Sequence, residues 1–149
     1  MRAVIQKVKS SSVSVDNKII GKINKGFMIL LGVENGDSAK EVDYMLEKIV
    51  NLRIFEDENE KMNLSLKDVS GELLVVSQFT LLGDCRKGRR PSFTDAARPE
   101  IAEQLYLDFV EKSRLMGITT ETGKFGAHME VELINDGPVT IMLDSNKKF

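Results

Sequence analysis

The sequence predicts a single α/β domain over residues 1–149, in which a curved, barrel-like sheet of mixed or largely antiparallel strands packs against two main helices. Three observations predict this class. Alternating polar and apolar residues occur at both ends of the chain, an almost continuous apolar run lies between them, and two segments carry apolar residues at helical spacing. With 149 residues, 42% of them hydrophobic, the chain can bury a core without a metal or a disulfide.

The first third of the chain predicts a meander of strands. In residues 2–15, valines alternate with polar residues, which is typical of half-buried strands. Asp16 and Asn17 then mark a turn, and isoleucines continue the strand pattern beyond it. After a second turn, residues 27–33 form an apolar run that suits a central strand.

Each of the two predicted helices has its own start signal. Ser38 and Glu41 have the spacing of a capping box, and the apolar face that follows consists of Val42, Met45, Leu46 and Ile49. Pro99 suits the first turn of the second helix and Gly117 suits its end. The apolar positions assigned to the second helix are Ile101, Ala102, Leu105, Phe109 and Met116.

The remaining segments predict further strands and one hairpin. An apolar strand ends at Ser77, and residues 118–121, 129–134 and 139–143 complete the set, with a Gly-Pro break before the last one. The acidic residues 53–63 are interpreted as a solvated hairpin loop. They lack the alternating oxygen ligands of a calcium loop, so no metal site is expected.

Charge and rare residues exclude several classes of protein. The net charge of -2 provides no overall attraction to nucleic acid or to an anionic membrane. Cys85 and His128 are the only cysteine and histidine, so neither an internal disulfide nor a zinc-type spacing is possible. No signal peptide and no apolar segment of about 20 residues is present. We therefore expect a cytoplasmic protein without a membrane span, a metal or an organic cofactor.

Four cations cluster in an otherwise slightly acidic chain. They occupy four of the five positions in residues 86–90, which we call the basic loop: Arg86, Lys87, Arg89 and Arg90. Such a local patch can bind phosphates although the whole protein has no net positive charge. An ordinary solvated loop remains the alternative for each of these residues.

A small polar cluster, Ser77, Gln78, Phe79 and Thr80, ends the apolar strand before the basic loop. Backbone N–H groups released at a strand end can point at a developing oxyanion, which predicts a catalytic edge. The alternative is an ordinary strand end with Phe79 packed in the core. A serine hydrolase triad is not expected, because there is no GxSxG elbow and His128 is the only histidine.

Residues 135–140 read NDGPVT and interrupt two strand-like runs. An ordinary turn explains this composition. If the peptide bond between Gly137 and Pro138 were cis, the loop would be rigid and its carbonyl groups could face a substrate. The sequence does not establish that geometry.

Several motifs give the chain a resemblance to a known family. SQFTL at residues 77–81, RKGRRPSFTDAA at 86–97 and TGKFGAHMEVELINDGPVT at 122–140 stand in the same order as in the D-aminoacyl-tRNA deacylases, also called D-tyrosyl-tRNA deacylases. The resemblance covers nearly the whole chain. One departure is His128, which stands where many relatives are expected to have aspartate or another residue.

The resemblance implies an editing hydrolase that cleaves the ester of D-aminoacyl-tRNA, and of glycine mischarged on tRNA-Ala, with help from the 2′-hydroxyl of the terminal ribose. It implies a homodimer with active sites at the subunit interface. Our candidates for the oxyanion hole are the backbone N–H groups of Phe79 and Thr80, with Ser77 and Gln78 organising the site. Gly137 and Pro138 would exclude L side chains, Phe125 and Met129 would pack the adenine, and the basic loop would bind the acceptor stem. A non-catalytic module that binds tRNA or another RNA is the alternative function.

Overall fold

The computed structural model describes residues 1–149 and contains eight strands and two helices. The strands are β1 (Arg2–Val15), β2 (Lys18–Ile23), β3 (Gly26–Gly32), β4 (Phe55–Glu56), β5 (Met62–Leu64), β6 (Glu72–Ser77), β7 (Thr120–Thr122) and β8 (Glu130–Asp144). The helices are α1 (Ala39–Val50) and α2 (Pro99–Leu115), and a single 3₁₀ turn covers Phe79–Leu82, here called the 79–82 turn.

The main sheet is organised around the long strand β1. One edge of β1 pairs with β8, whereas the other edge pairs first with β3 and then with β2, and all three partners are antiparallel to it. Beyond β3, the strands β6 and β7 continue the sheet in parallel. The sequence prediction of a mixed sheet is confirmed.

Strong curvature brings the two ends of the sheet together. A side chain at Gly21 of β2 would lie 2.7 Å from the carbonyl oxygen of Thr122 in β7, so only glycine permits this approach. The sheet is therefore nearly closed and barrel-like. Its larger core of 24 buried residues includes side chains from both helices, and a smaller cluster of six, including Val8, Met28 and Leu74, lies apart from it.

The helices begin at their predicted signals. The hydroxyl of Ser38 accepts a hydrogen bond from the backbone of α1, and the carboxylate of Glu41 accepts one from the N–H of Ser38 at 2.7 Å, which completes the capping box. Pro99 is the first residue of α2, and Gly117 follows its end with a φ of 79°. Neither helix is both long enough and apolar enough to cross a membrane.

Two residues assigned to the apolar face of α2 lie outside the core. Ile101 is 50% exposed and Met116 is 45% exposed. The buried stripe begins one residue later, at Ala102, and recurs at three- and four-residue intervals, whereas Met116 caps the helix after its last turn. The predicted apolar positions of α1 are all buried.

The acidic segment forms the predicted hairpin, with β4 and β5 as its two antiparallel strands. The C-terminal prediction of two separate strands is wrong, because residues 129–134 and 139–143 fall largely within the single strand β8. Its pairing with β1 jumps from Val8 opposite Asn135 to Gln6 opposite Thr140. Residues 136–139 therefore bulge out of a continuous strand as a loop, which we call the Gly-Pro loop.

Candidate active site

The polar cluster lies where β6 leaves the sheet. Ser77 is the last residue of β6 and is paired with Leu31 in the parallel ladder. The backbone N–H of Gln78 still donates to the carbonyl of Leu31 at 2.8 Å, so the chain leaves the sheet only after this residue. The prediction that Phe79 could instead pack in the core is not supported, because its side chain is 56% exposed.

Two backbone N–H groups at the start of the 79–82 turn form no hydrogen bond within the turn. The first hydrogen bond of the turn runs from the N–H of Leu81 to the carbonyl of Gln78 at 3.4 Å. The N–H groups of Phe79 and Thr80 precede this bond and have no partner within the turn, as is general for the first donors of a helix. Such donors can stabilise negative charge that develops on a substrate oxygen.

Two distant residues hold the 79–82 turn in place. The guanidinium of Arg2 donates to the carbonyl of Leu81 at 3.0 Å and to the buried carboxylate of Asp144 at 2.9 Å. Gly32 allows close packing, since a Cβ there would lie 2.8 Å from the carbonyl oxygen of Gln78. Sequence reasoning missed both contacts, because no local pattern links Arg2 to a turn 79 residues away.

The side chains of Gln78 and Thr80 are joined to each other. The amide of Gln78 donates to the hydroxyl of Thr80, which is exposed. No carboxylate or imidazole forms a hydrogen bond with that hydroxyl. Thr80 therefore lacks the activating base that a threonine nucleophile needs.

An apolar pocket of about 680 Å³ opens beside the strand end. Thirteen of its 19 lining residues are hydrophobic, and the lining includes Ser77, Gln78, Phe79, Phe125 and Met129. No carboxylate lines the pocket. The volume and the few polar groups are typical of a small-molecule site.

Two lining residues, Phe125 and Met129, make defined contacts with neighbouring residues. Phe125 lies 6.0 Å from Tyr106, measured between ring centroids, and the sulfur of Met129 accepts a hydrogen bond from the backbone N–H of Lys124 at 3.4 Å. Tyr106 was not identified from the sequence. Its hydroxyl donates to the carbonyl of Val75 at 2.8 Å.

Three ionisable groups line the pocket, and two of them, Tyr106 and Arg98, cannot act as a general base at physiological pH. Burial raises the pKa of Tyr106 to about 12, so this phenol stays neutral at physiological pH. Arg98 is a permanent cation, and His128 is an exposed residue of the lining. No cluster of three or more His, Cys, Asp or Glu side chains could hold a metal ion.

Gly137 and Pro138 do not line the pocket of their own chain. Both are exposed in the Gly-Pro loop, and the peptide bond between them is cis. The side chain of Val139, at the end of the loop, is only 8% exposed and belongs to the main core. The tip of the loop is therefore exposed, while its end at Val139 is fixed in the core.

The basic loop is an exposed hairpin beside the 79–82 turn. Its base is closed by two backbone hydrogen bonds between Asp84 and Ser92, at 2.8 and 3.0 Å. Arg86 is already paired, because its guanidinium donates twice to Asp84 and lowers the pKa of that carboxyl to about 2. The other cations of the loop have no ion pair within the chain: Lys87, Arg89 and Arg90.

A comparison of the whole sequence with known protein families agrees with these features of the site. The model of the family described as D-Tyr-tRNA(Tyr) deacylase matches residues 4–144. This chain belongs to that family. The matched range includes the turn, the basic loop and the Gly-Pro loop, so the resemblance drawn from the motifs is confirmed.

Individual relatives agree with this family, and a solved structure is similar to the chain over nearly its whole length. The chain is 66% identical to a D-aminoacyl-tRNA deacylase of Clostridioides difficile and 62% identical to one of Natranaerobius thermophilus, in each case over 100% of both chains. A solved structure described as c-Myc DNA Unwinding Element Binding Protein superimposes with a TM-score of 0.91 at 44% identity, covering 97% of this chain and 98% of that one.

A more distant solved structure shares the fold alone. It is described as a probable eukaryotic D-amino acid tRNA deacylase, and it superimposes with a TM-score of 0.80 at 18% identity, covering 95% of this chain and 97% of that one. The nearly closed sheet with two helices is thus also found in a protein of quite different sequence.

Proposed function

We propose that this protein hydrolyses the ester that joins a D-amino acid or glycine to the terminal adenosine of tRNA. The observation that carries the proposal is the pair of backbone donors of Phe79 and Thr80, which have no partner within the 79–82 turn and lie beside an apolar pocket without a carboxylate. Membership of the deacylase family supports the same reaction. An aminoacyl ester is already activated, so positioning and oxyanion stabilisation can suffice.

Catalysis then depends on the backbone and on the substrate itself. The N–H groups of Phe79 and Thr80 stabilise the oxyanion, while Ser77 and Gln78 organise the strand end. The 2′-hydroxyl of the terminal ribose assists the attack of water on the ester. Water is the only co-reactant, and the proposed steps use neither a metal nor an organic cofactor.

Replacing Thr80 tests the assignment to the backbone. Thr80→Val keeps the shape of the side chain but removes the hydroxyl, and we expect the hydrolysis rate to stay within about threefold of the parent. Loss of a true nucleophile would cost far more, up to about 10⁶-fold in a serine hydrolase. Single-turnover hydrolysis is measured for Thr80→Val and for the control Thr80→Ser, which keeps a hydroxyl. A large decrease in Thr80→Val that is absent in Thr80→Ser would make Thr80 the nucleophile.

Chiral selection in this proposal comes from a second copy of the chain. Gly137 and Pro138 are exposed and do not reach the pocket of their own chain. In a twofold dimer, the same loop of the partner subunit can enter the open pocket next to Phe79. Its carbonyl groups form a wall that excludes an L side chain, whereas a D side chain points away from it.

Glycine passes the same wall because it has no side chain. Glycyl-tRNA, including glycine mischarged on tRNA-Ala, is therefore a substrate in this proposal. Phe125 and Met129, both in the pocket lining, pack the adenine of the terminal nucleotide. Since charged tRNA is used in translation, we place the enzyme in the cytoplasm.

The basic loop binds phosphates of the acceptor stem. We expect the double variant Arg89→Gln/Arg90→Gln to raise the KM for aminoacyl-tRNA, and to flatten the logarithmic salt dependence by roughly 0.7 to 0.9 for each phosphate that is no longer bound. Arg86→Gln is the matched control, with a smaller effect because Asp84 already occupies that guanidinium. Initial rates across a salt series measure both quantities. If the parent, the double variant and Arg86→Gln have the same salt dependence, the basic loop is not part of the tRNA site.

A non-catalytic RNA-binding module is the competing function, and turnover separates the two. The enzyme releases amino acid from D-aminoacyl-tRNA repeatedly when the protein concentration is far below that of the substrate. A binding module would retain tRNA on a filter, and would no longer retain it when the basic loop is neutralised, without releasing any amino acid.

A further inference from the structure

The Gly-Pro loop interrupts strand β8, and both ends of the interruption stay paired with β1 in shifted register. Asn135 is paired with Val8 and Thr140 is paired with Gln6, so four residues of β8 face a single residue, Lys7, of β1. The ladder of backbone hydrogen bonds cannot continue through such an excursion. Some other group must hold the two ends of the loop together.

The side-chain amide of Asn135 performs this task. Its oxygen accepts a hydrogen bond from the N–H of Val139 at 2.7 Å, and its nitrogen donates to the carbonyl of Val139 at 3.0 Å. One side chain thus satisfies both backbone groups of the residue where the loop ends. Only an amide has a donor and an acceptor side by side in this way.

The same amide also ties the loop to β1. Its nitrogen donates to the side-chain oxygen of Gln6 at 2.9 Å, and the hydroxyl of Thr140 donates to that oxygen at 3.1 Å. The side chain of Val139 is meanwhile buried in the core. The base of the loop is therefore fixed on several sides, while Gly137 and Pro138 at its tip are exposed.

We propose that Asn135 is a positioning residue for chiral selection, because its amide sets where the exposed carbonyl groups of the Gly-Pro loop lie. The inference rests on the proposed role of that loop in the partner's pocket. Asn135 itself does not line the pocket, so it acts on the reaction only through the loop. Removing its amide admits L esters and leaves the chemistry at the 79–82 turn in place.

The test compares Asn135→Ala with the parent on matched D- and L-aminoacyl-tRNA. Without the amide, both backbone groups of Val139 are left without their partner and the loop base loosens. We expect the ratio of L to D hydrolysis to rise at least about tenfold, with the rate on the D ester within about threefold of the parent. Asn135→Asp keeps the acceptor for the N–H of Val139 but removes the donor to its carbonyl, so the ratio rises in this variant as well.

Asn63→Ala is the matched control. The amide of Asn63 also closes a turn, donating to Asp57 at 3.1 Å in the hairpin of β4 and β5, far along the chain from the loop. We expect an unchanged L to D ratio even where its melting temperature falls. This comparison separates a change in selectivity from a general decrease in stability.

The outcomes are distinct. An L to D ratio equal to that of the parent in folded Asn135→Ala and Asn135→Asp, beside a parent that discriminates, would overturn the role of Asn135 and leave the proposed function standing. If the L to D ratio rises as much in Asn63→Ala as in Asn135→Ala, the proposed role of Asn135 is overturned as well. A parent that cleaves both enantiomers equally would refute the proposed chiral selection, and this inference with it.

Discussion

Replacing Gly137 with alanine is expected to raise hydrolysis of L-aminoacyl-tRNA on the order of 100-fold, because contact with a single carbon group of a substrate contributes roughly 10- to 200-fold to discrimination. Gly137 has a φ of 147°, which a residue with a side chain rarely adopts. A Cβ there would lie 2.7 Å from a methyl group of Val139 and 3.0 Å from its nitrogen. Since Val139 is anchored in the core, the exposed tip of the loop must move instead.

The measurement is the hydrolysis rate on paired D and L esters of one tRNA, and glycyl-tRNA should be cleaved as before. Gly36→Ala serves as the control, because Gly36 also has a positive φ, of 89°, but has open space around it and lies away from the loop. Both variants carry backbone strain, and only Gly137→Ala should relax selectivity. If folded Gly137→Ala still spares the L ester, the loop is not the wall.

Replacing Gly32 with alanine is expected to lower kcat on the D ester about 100-fold with little change in KM. A methyl group at this position would lie 2.8 Å from the carbonyl oxygen of Gln78 and 2.7 Å from a methyl group of Leu82. A backbone atom cannot give way as a flexible side chain can, so the 79–82 turn and its two donors are displaced. Single-turnover rates measure this decrease directly.

Gly71→Ala controls for simple crowding in the sheet region. Its new methyl group would lie 2.6 Å from the side-chain end of Leu66, and no backbone atom apart from Gly26 Cα, at 3.4 Å, is close. We expect Gly71→Ala to lower stability and to keep kcat. A folded Gly32→Ala enzyme with a normal rate would mean that the donors of the turn do not stabilise the oxyanion.

Features governed by neighbouring residues could be predicted from the sequence. The capping box of Ser38 and Glu41 starts α1, and Pro99 starts α2, because both signals act within one helical turn. Asp16 and Asn17 form the tight turn of the first hairpin, with φ angles of 50° and 61°.

Features that depend on contacts between distant residues could not be predicted. The contact of Arg2 with Leu81 joins the first strand to the 79–82 turn, and the contact of Asn135 with Gln6 spans 129 residues. Alternation predicted two strands around the Gly-Pro break, because only the pairing with β1 reveals that both segments belong to one strand with a shifted register. Motif reading located the polar strand end, whereas Tyr106 reaches the pocket only through the packing of α2.

The central claim is that this pocket hydrolyses aminoacyl esters and excludes L side chains by a wall. The most direct test is the release of amino acid from one purified tRNA that carries, in turn, a D residue, its L enantiomer and glycine. The account predicts rapid hydrolysis of the D and glycyl esters, with the L ester spared. Equal cleavage of the D and L esters would contradict the wall, and tRNA binding without release of any of the three would contradict the enzyme.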